Sequence, residues 1–174
     1  MKTSLALVGF MGTGKTAVAK ALAWRLNKEF IELDSLIEKK AGKSIPDIFQ
    51  QHGEATFRKL ETEVTRQIAR RKNAVIAGGG GIVLNQINIE YLKKECIIVY
   101  LTASPEIILK RTAGDQNKRP LLEVADKPQR IQELLKKRQP LYERVADIKI
   151  DTSGLNINAI AKQIISELKN ESFH

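Results

Sequence analysis

The chain is short of cysteine and of long hydrophobic runs. Its single cysteine, Cys96, has no partner for an internal disulfide, which does not fit a disulfide-stabilised secreted fold. Cys96 lies in the apolar run "CIIVYL", which predicts a buried thiol rather than a nucleophile. No apolar run reaches the roughly 18 residues of a membrane-spanning helix, and the N-terminal residues do not resemble a signal peptide. We therefore expect a cytoplasmic protein that does not contact membranes.

Aromatic residues are also scarce, at 5% of the chain, whereas basic residues are in excess. The 29 lysines and arginines outnumber the 20 acidic residues, giving a net charge of +9. Such a charge is typical of proteins that bind nucleic acids or small polyanions. Because no aromatic pair is interleaved with a basic run, the sequence does not predict a surface for stacking bases, and we expect no nucleic-acid partner.

Five short apolar runs alternate with helical patterns along the 174 residues, without a linker or an internal repeat. Runs of this kind are typical of strands that are buried on both faces of a parallel sheet. We predict strands at 4–9, 29–33, 74–78, 96–101 and 147–151. Helices are predicted at 15–27, after Ser44, after Ser104 and at 156–169. The sequence thus predicts one α/β domain, 1–174, with a five-stranded parallel sheet flanked by helices.

The stretch "GFMGTGKTA" directly follows the first predicted strand and matches the phosphate-loop pattern G-x-x-x-x-G-K-[ST]. Glycines allow the backbone N–H groups to turn inward around a phosphate, and the following helix points its positive end there. Lys15 would contact the outer phosphates, and the hydroxyl of Thr16 would bind Mg²⁺. We predict that ATP binds to Gly12, Thr13, Gly14, Lys15, Thr16 and Ala17. The alternative is a simple glycine turn between a strand and a helix.

Two clusters of side chains near the predicted sheet would define a second substrate. Glu32 and Asp34 follow the second strand, where a carboxylate would bind hydroxyls or accept a proton, although Asp34 could also simply cap a helix. Arg58 follows Phe57 in a helical stretch that Gly53 interrupts, and its planar guanidinium would suit a carboxylate. The alternative for Arg58 is a surface ion pair with Glu54 or Glu61.

Two further segments look adapted to ligands. Consecutive glycines in "AGGGGIV" would let a ligand approach the backbone of Gly79, Gly80 and Gly81, unless they serve only as a hinge. The polar segment "GDQNKRPLLE", within about 112–124, predicts a mobile lid that brings Arg119 onto phosphates. Arg138 begins the piece "RQPLYERV" near a helix end.

Together these motifs resemble the shikimate kinase family of nucleoside-monophosphate-kinase-like P-loop proteins. The resemblance rests on "GFMGTGKT", "LDSLIE", "IFQQHGEATFRKLE", "GGGIV", "RPLL" and "RQPLYE", which occur in the family's order over nearly the whole chain. It implies transfer of the γ-phosphate of ATP to the 3-hydroxyl of shikimate, with Mg²⁺ as cofactor. A substrate-binding region of about 32–61 and a monomeric enzyme are expected.

The resemblance also implies roles for individual residues. Lys15, Asp34 and Arg119 would be catalytic, and Arg111 would lie near the adenine of ATP. The shikimate ligands would be Asp34, Arg58, Gly79, Gly80, Gly81 and Arg138. The metal site would consist of Thr16 and Glu32, where the family usually has an aspartate in place of the glutamate.

Two alternatives remain open from the sequence. The phosphate loop is shared by many enzymes, so a related small-molecule kinase, such as a gluconate kinase, would carry the same motif. The positive charge also leaves a nucleic-acid-binding P-loop ATPase as an alternative of another class. A gluconate kinase would differ from a shikimate kinase in the acceptor that it phosphorylates. A nucleic-acid-binding ATPase would hydrolyse ATP faster when nucleic acid is present.

Overall fold

The computed structural model describes residues 2–114 and 119–170, which form an α/β fold around one parallel sheet. The strands within these ranges are β1 (Ser4–Val8), β2 (Glu29–Glu32), β3 (Ala74–Ala77), β4 (Cys96–Thr102) and β5 (Ile148–Asp151). The α-helices are α1 (Lys15–Leu26), α2 (Leu33–Ala41), α3 (Ile45–Ile68), α4 (Gln86–Glu95), α5 (Pro105–Ala113), α6 (Lys127–Val145) and α7 (Ile157–Asn170). Short 3₁₀ turns lie at Ile82–Leu84 and Pro120–Leu122. The predicted fold class is confirmed.

The strands are arranged in the order β2-β3-β1-β4-β5, and every neighbouring pair is parallel. The central strands β1 and β3 are buried along their whole length, as their uninterrupted apolar sequences predict. Apolar side chains on the two faces of the sheet form two separate core clusters, one on each side. Because all strands are parallel, their carboxyl ends meet at one edge, where the loops after β1, β2 and β3 lie together.

Local signals in the sequence set the start of several helices. The side chain of Ser44 accepts a hydrogen bond from the backbone N–H of Asp47, and Ser104 accepts one from Ile107 in the same way. Within α3, Gly53 adopts φ 81° and ψ 169°, so the helical stretch is interrupted where predicted. Ile157 is 44% exposed although it is apolar, because it is the first residue of α7.

Three further predictions concern the thiol of Cys96, membrane-spanning helices and the lid. Cys96 is fully buried at the start of β4, and burial raises the pKa of its thiol to about 12. Among the described helices, none combines the length and the apolar character needed to cross a bilayer. The predicted lid, about 112–124, includes residues 115–118, which lie outside the described residues, so its mobility stays a prediction.

Candidate active site

The phosphate loop connects β1 to α1 in a conformation that requires glycine. Gly9, Gly12 and Gly14 all have positive φ values, of 148°, 78° and 88°. A Cβ atom on Gly9 would collide with the carbonyl oxygen of Leu101, and one on Gly12 would lie 3.0 Å from Cγ2 of Thr112. The loop therefore packs tightly against β4 and α5, and only its remaining face is left for a ligand.

Lys15, the first residue of α1, folds back across this loop. Its Nζ donates to the carbonyl oxygens of Gly9 and Phe10, both at 2.8 Å. Burial lowers the pKa of Lys15 to about 7; the nearby Asp34 opposes this shift, whereas Arg119 and Arg138 add to it. Lys15 thus lies among the other predicted site residues, and its charge is poorly stabilised until an anion arrives.

A second contact links the starts of α1 and α2. The hydroxyl of Thr16 donates to Oε1 of Glu32 at 2.8 Å, and the hydroxyl of Ser35 donates to Oε2 of the same carboxylate at 2.7 Å. The two predicted metal ligands, Thr16 and Glu32, are therefore in direct contact. Thr13, in contrast, has a buried side chain that donates to the carbonyl of Phe10 and stabilises the loop from within.

Asp34 is the second residue of α2, not its cap. The helix begins at Leu33 with Glu32 in the capping position, so the alternative of a simple helix cap for Asp34 is wrong. Burial raises the pKa of the Asp34 carboxyl, the charge of Lys15 lowers it, and Glu32 raises it further. A carboxylate in this setting is a good acceptor for a ligand hydroxyl or proton.

Arg58 lies just over one turn after the interruption of α3. It makes ion pairs with both Glu54 and Glu61, the two partners that the sequence analysis gave as the alternative to carboxylate binding. Its Nη2 is 3.2 Å from Glu54 and its Nη1 is 3.0 Å from Glu61. Glu61 is only 1% exposed, and burial raises the pKa of its carboxyl while Arg58 lowers it. The guanidinium also lies against Gly81, where a Cβ would collide with it. The ion pairs with Glu54 and Glu61 therefore orient Arg58 toward Gly79–Gly81, called the glycine segment below, rather than away from it.

The consecutive glycines accommodate charged side chains. A Cβ on Gly79 would lie 3.1 Å from Oε2 of Glu61 and 3.2 Å from Oδ1 of Asp34, and one on Gly80 would lie 3.7 Å from Nη1 of Arg138. The backbone and charged side chains thus approach each other closely, while the approach of a ligand to these glycines stays a prediction. The preceding Gly78 continues the sheet instead, because its N–H donates to the carbonyl of Leu7 at 3.0 Å.

Most of the predicted site residues line one cavity of about 630 Å³. Of the predicted residues, its walls include Thr16, Glu32, Asp34, Arg58, Gly79, Gly80, Gly81, Arg119 and Arg138. Arg111 is not part of this wall. Its guanidinium instead donates to the carbonyl of Gly12 at 3.1 Å and to the hydroxyl and carbonyl of Thr152 at 3.1 and 3.3 Å. It therefore joins the phosphate loop to the end of β5.

The sequence reasoning missed two polar residues of this site. Glu61 was considered only as a surface partner of Arg58, yet it is buried between Arg58 and the glycine segment. Nothing in the motif "RQPLYE" distinguishes Tyr142, yet its buried hydroxyl donates to the carbonyl of Gly80. An available signal for Glu61 was its spacing of three residues after Arg58 on a helix.

The fold and the cavity together define the class of the protein. A phosphate loop on a parallel 2-3-1-4-5 sheet, with a carboxylate and two arginines in the adjoining cavity, is the arrangement of a P-loop kinase for a small molecule. The family model described as shikimate kinase matches residues 11–169. The chain therefore belongs to the shikimate kinase family, whose reaction is the ATP-dependent phosphorylation of shikimate.

Individual relatives agree with this assignment. The chain is 48% identical over 162 residues to a shikimate kinase of Caldanaerobacter subterraneus subsp. tengcongensis, covering 93% of this chain and 94% of the relative. It is 46% identical over 169 residues to a shikimate kinase of Thermodesulfovibrio yellowstonii, covering 97% and 96%. Among solved structures, shikimate kinase from Acinetobacter baumannii in complex with shikimate superposes with a TM-score of 0.95 at 40% identity, covering 100% of this chain and 97% of that one.

Proposed function

We propose that this protein transfers the γ-phosphate of ATP to the 3-hydroxyl of shikimate, giving shikimate 3-phosphate and ADP. The observation that carries the proposal is that Asp34, Arg58 and Arg138 share one cavity with Thr16 of the phosphate loop. A donor site and a site for a carboxylate-bearing alcohol thus adjoin each other. Phosphoryl transfer depends mainly on such positioning and on stabilisation of charge.

The acceptor would be held at the end of the cavity that α3 and α6 line. Arg58 and Arg138 provide two guanidinium groups for the carboxylate of shikimate, and the backbone at Gly79–Gly81 lies between them. Asp34 would accept hydrogen bonds from the ring hydroxyls. Because its carboxyl is buried and its pKa is raised, Asp34 would also accept the proton of the attacking hydroxyl more readily than an exposed aspartate.

The donor would be held by the phosphate loop. Backbone N–H groups at Gly12–Ala17 and the positive end of α1 suit the phosphates of ATP, and Lys15 and Arg119 would offset the charge of the transferred group. Arg111 would support ATP binding by fixing the carbonyl of Gly12, while its proposed contact with adenine rests on the family resemblance. Closure of the predicted lid would exclude water as a competing acceptor.

Thr16 and Glu32 would hold Mg²⁺. Their oxygens are 2.8 Å apart, and hydroxyl and carboxylate oxygens are ligands that Mg²⁺ prefers. Within residues 2–114 and 119–170 no group of three or more His, Cys, Asp or Glu side chains gathers. Mg²⁺ commonly takes one or two protein ligands and completes its coordination with substrate phosphates and water. When bound, Mg²⁺ would neutralise charge on the phosphates of ATP. The residues present therefore fit the ion.

We further propose that the chain acts as a single kinase domain and as a monomer in the cytoplasm. The cavity that joins the acceptor residues to Thr16 of the phosphate loop is lined by residues of a single chain.

A comparison of acceptors tests the proposed reaction. With ATP and Mg²⁺, we expect ADP release with shikimate at a kcat/KM at least about a hundredfold above that with gluconate or a nucleoside monophosphate. The rigid ring of shikimate holds its carboxylate and hydroxyls at fixed separations, whereas gluconate is flexible and a nucleoside monophosphate has no carboxylate. A coupled assay of ADP release measures this. Turnover of gluconate without turnover of shikimate, or ATP hydrolysis stimulated by RNA or DNA, would contradict the proposal and favour one of the two alternatives.

The pKa of Lys15 predicts that ATP binding takes up a proton. A pKa of about 7 leaves most of the Lys15 amines neutral at about pH 8, whereas bound phosphates favour the charged form and raise the pKa. We therefore expect uptake that approaches about one proton per ATP at about pH 8. Calorimetric titrations in two buffers of different ionisation enthalpy measure it. Lys15→Ala should abolish the uptake, and equal uptake in this variant would show that another group titrates.

A further inference from the structure

Tyr142 lies behind Gly80, at the acceptor end of the cavity, and is not accessible to solvent. Its side chain is 0% exposed, and its ring stacks on that of Tyr100 with centroids 5.1 Å apart and planes at 23°. The hydroxyl donates to the carbonyl oxygen of Gly80, a residue 62 positions earlier in the chain. A buried hydroxyl without partners would be costly, so this contact has a clear energetic basis.

Arg138 lies one helical turn before Tyr142 on α6, and its Nη1 is 3.7 Å from the position that a Cβ atom on Gly80 would occupy. Burial raises the pKa of Tyr142, and the charge and hydrogen bond of Arg138 partly oppose that rise. Arg138 is itself only 3% exposed, and it lines the cavity. Tyr142 and Arg138 thus both border the peptide of Gly80.

The contact with Gly80 also determines the orientation of the next N–H group. The carbonyl of Gly80 and the N–H of Gly81 belong to one planar trans peptide, so they point in opposite directions. Holding the carbonyl against Tyr142 therefore directs the N–H of Gly81 away from Tyr142. Because glycine restricts its own dihedral angles so little, an external hydrogen bond is needed to keep this peptide in one orientation.

We propose that Tyr142 is a positioning residue for carboxylate recognition, because its hydroxyl fixes the Gly80–Gly81 peptide, against which the guanidinium of Arg138 lies. Tyr142 does not touch the substrate. It acts through the two groups that border the acceptor end of the cavity, and so it sets how strongly the enzyme distinguishes a carboxylate from a neutral group. This inference rests on the function proposed above, in which Arg58 and Arg138 bind the carboxylate of shikimate.

Tyr142→Phe tests the inference, since it removes only the hydroxyl and keeps the ring that stacks on Tyr100. We expect the KM for shikimate to rise about tenfold, with kcat lowered less than about threefold and the KM for ATP unchanged within about twofold. Tyr100→Phe is the matched control, because it removes a hydroxyl from the partner ring without touching Gly80 or Arg138. It should leave both KM values within about twofold of those of the wild type.

The methyl ester of shikimate distinguishes positioning from a general structural effect. Wild-type enzyme should prefer shikimate to its methyl ester, and Tyr142→Phe should narrow that preference about tenfold, because only binding of the charged carboxylate is weakened. If Tyr142→Phe raises the KM for both acceptors, or for ATP, to the same extent, the residue is structural and the inference is overturned. If wild-type enzyme does not distinguish the two acceptors, the assignment of the arginines to the carboxylate fails first, and the inference fails with it.

Discussion

Replacing Lys15 with alanine should lower kcat about a thousandfold or more while leaving the protein folded. Lys15 is the cation of the phosphate loop, and a preorganised charge of this kind stabilises the transferring phosphoryl group only in the transition state. The side chain is enclosed by the loop, with its Nζ on the carbonyls of Gly9 and Phe10. No neighbouring lysine is placed to substitute for it on this loop, whose only lysine is Lys15.

The stability of Lys15→Ala can be predicted from the pKa of Lys15. The pKa of Lys15 in the folded protein, about 7, lies below the ordinary lysine value of 10.5, which applies to the unfolded chain. The unfolded chain therefore binds more protons between these values, and the charged lysine disfavours folding most strongly below about pH 7. Removing it should leave the midpoint of thermal unfolding at neutral pH unchanged or raise it. Circular dichroism during heating measures this alongside the kinetic assay.

Lys20→Ala is the matched control for Lys15→Ala. Lys20 lies on the same helix, is exposed, and extends over the ring of Phe30 at 5.5 Å. Its removal should change kcat less than about twofold. Turnover by Lys15→Ala at the wild-type rate would refute the assignment of the phosphate loop, and a loss of activity accompanied by unfolding would show that Lys15 acts on stability instead.

The sequence predicts the sheet and the phosphate loop well because both depend on local patterns. All five predicted strands occur within a residue or so of their predicted bounds. Burial on both faces is confirmed for β1, β3 and most of β4, whereas it is wrong for β2 and β5, which are partly exposed at the two edges of the sheet. The loop likewise occupies one continuous stretch, in which the glycines at 9, 12 and 14 adopt positive φ values. Neither feature needs information about distant parts of the chain.

The polar partners within the site are not predictable in this way. Tyr142 bonds to Gly80, and Arg111 bonds to Gly12, 99 residues earlier, so no short window of sequence contains both members of either pair. Glu61 lies close to Arg58 in sequence, but its burial depends on the glycine segment that packs over it. Helical spacing indicates that both Glu54 and Glu61 can pair with Arg58, but the sequence alone does not show that Glu61 is buried and Glu54 is exposed. Packing between elements, rather than the pattern within them, decides these cases.

Replacing Arg58 with alanine should affect substrate binding and stability together, through separate causes. The KM for shikimate should rise about a hundredfold, because a charged hydrogen bond to the carboxylate is lost. The KM for ATP should change less than about threefold, since Arg58 lies at the acceptor end of the cavity. Steady-state kinetics with each substrate varied in turn measure both values, and an equal rise in both would indicate a structural role.

The loss of stability would come from Glu61 rather than from Arg58 itself. Glu61 is 1% exposed and pairs with Arg58 at 3.0 Å, so Arg58→Ala leaves a buried carboxylate with weaker compensation. Breaking a buried pair in this way costs about 3 kcal/mol of unfolding free energy. The remaining attraction comes from Arg138, and the pKa of Glu61 should rise further. The variant should therefore be least stable, relative to the wild type, at neutral and alkaline pH.

A second substitution separates the two effects of Arg58→Ala. In Arg58→Ala with Glu61→Gln, the buried charge is gone, so we expect most of the lost unfolding free energy to return while the KM for shikimate stays high. Arg66→Ala, an exposed arginine on the same helix, is the control and should change neither quantity appreciably. Recovery of the KM together with stability would show that Arg58 acts by shielding Glu61 rather than by binding the carboxylate. Persistent instability in the double variant would instead place the energetic role in the contact between Arg58 and Gly81.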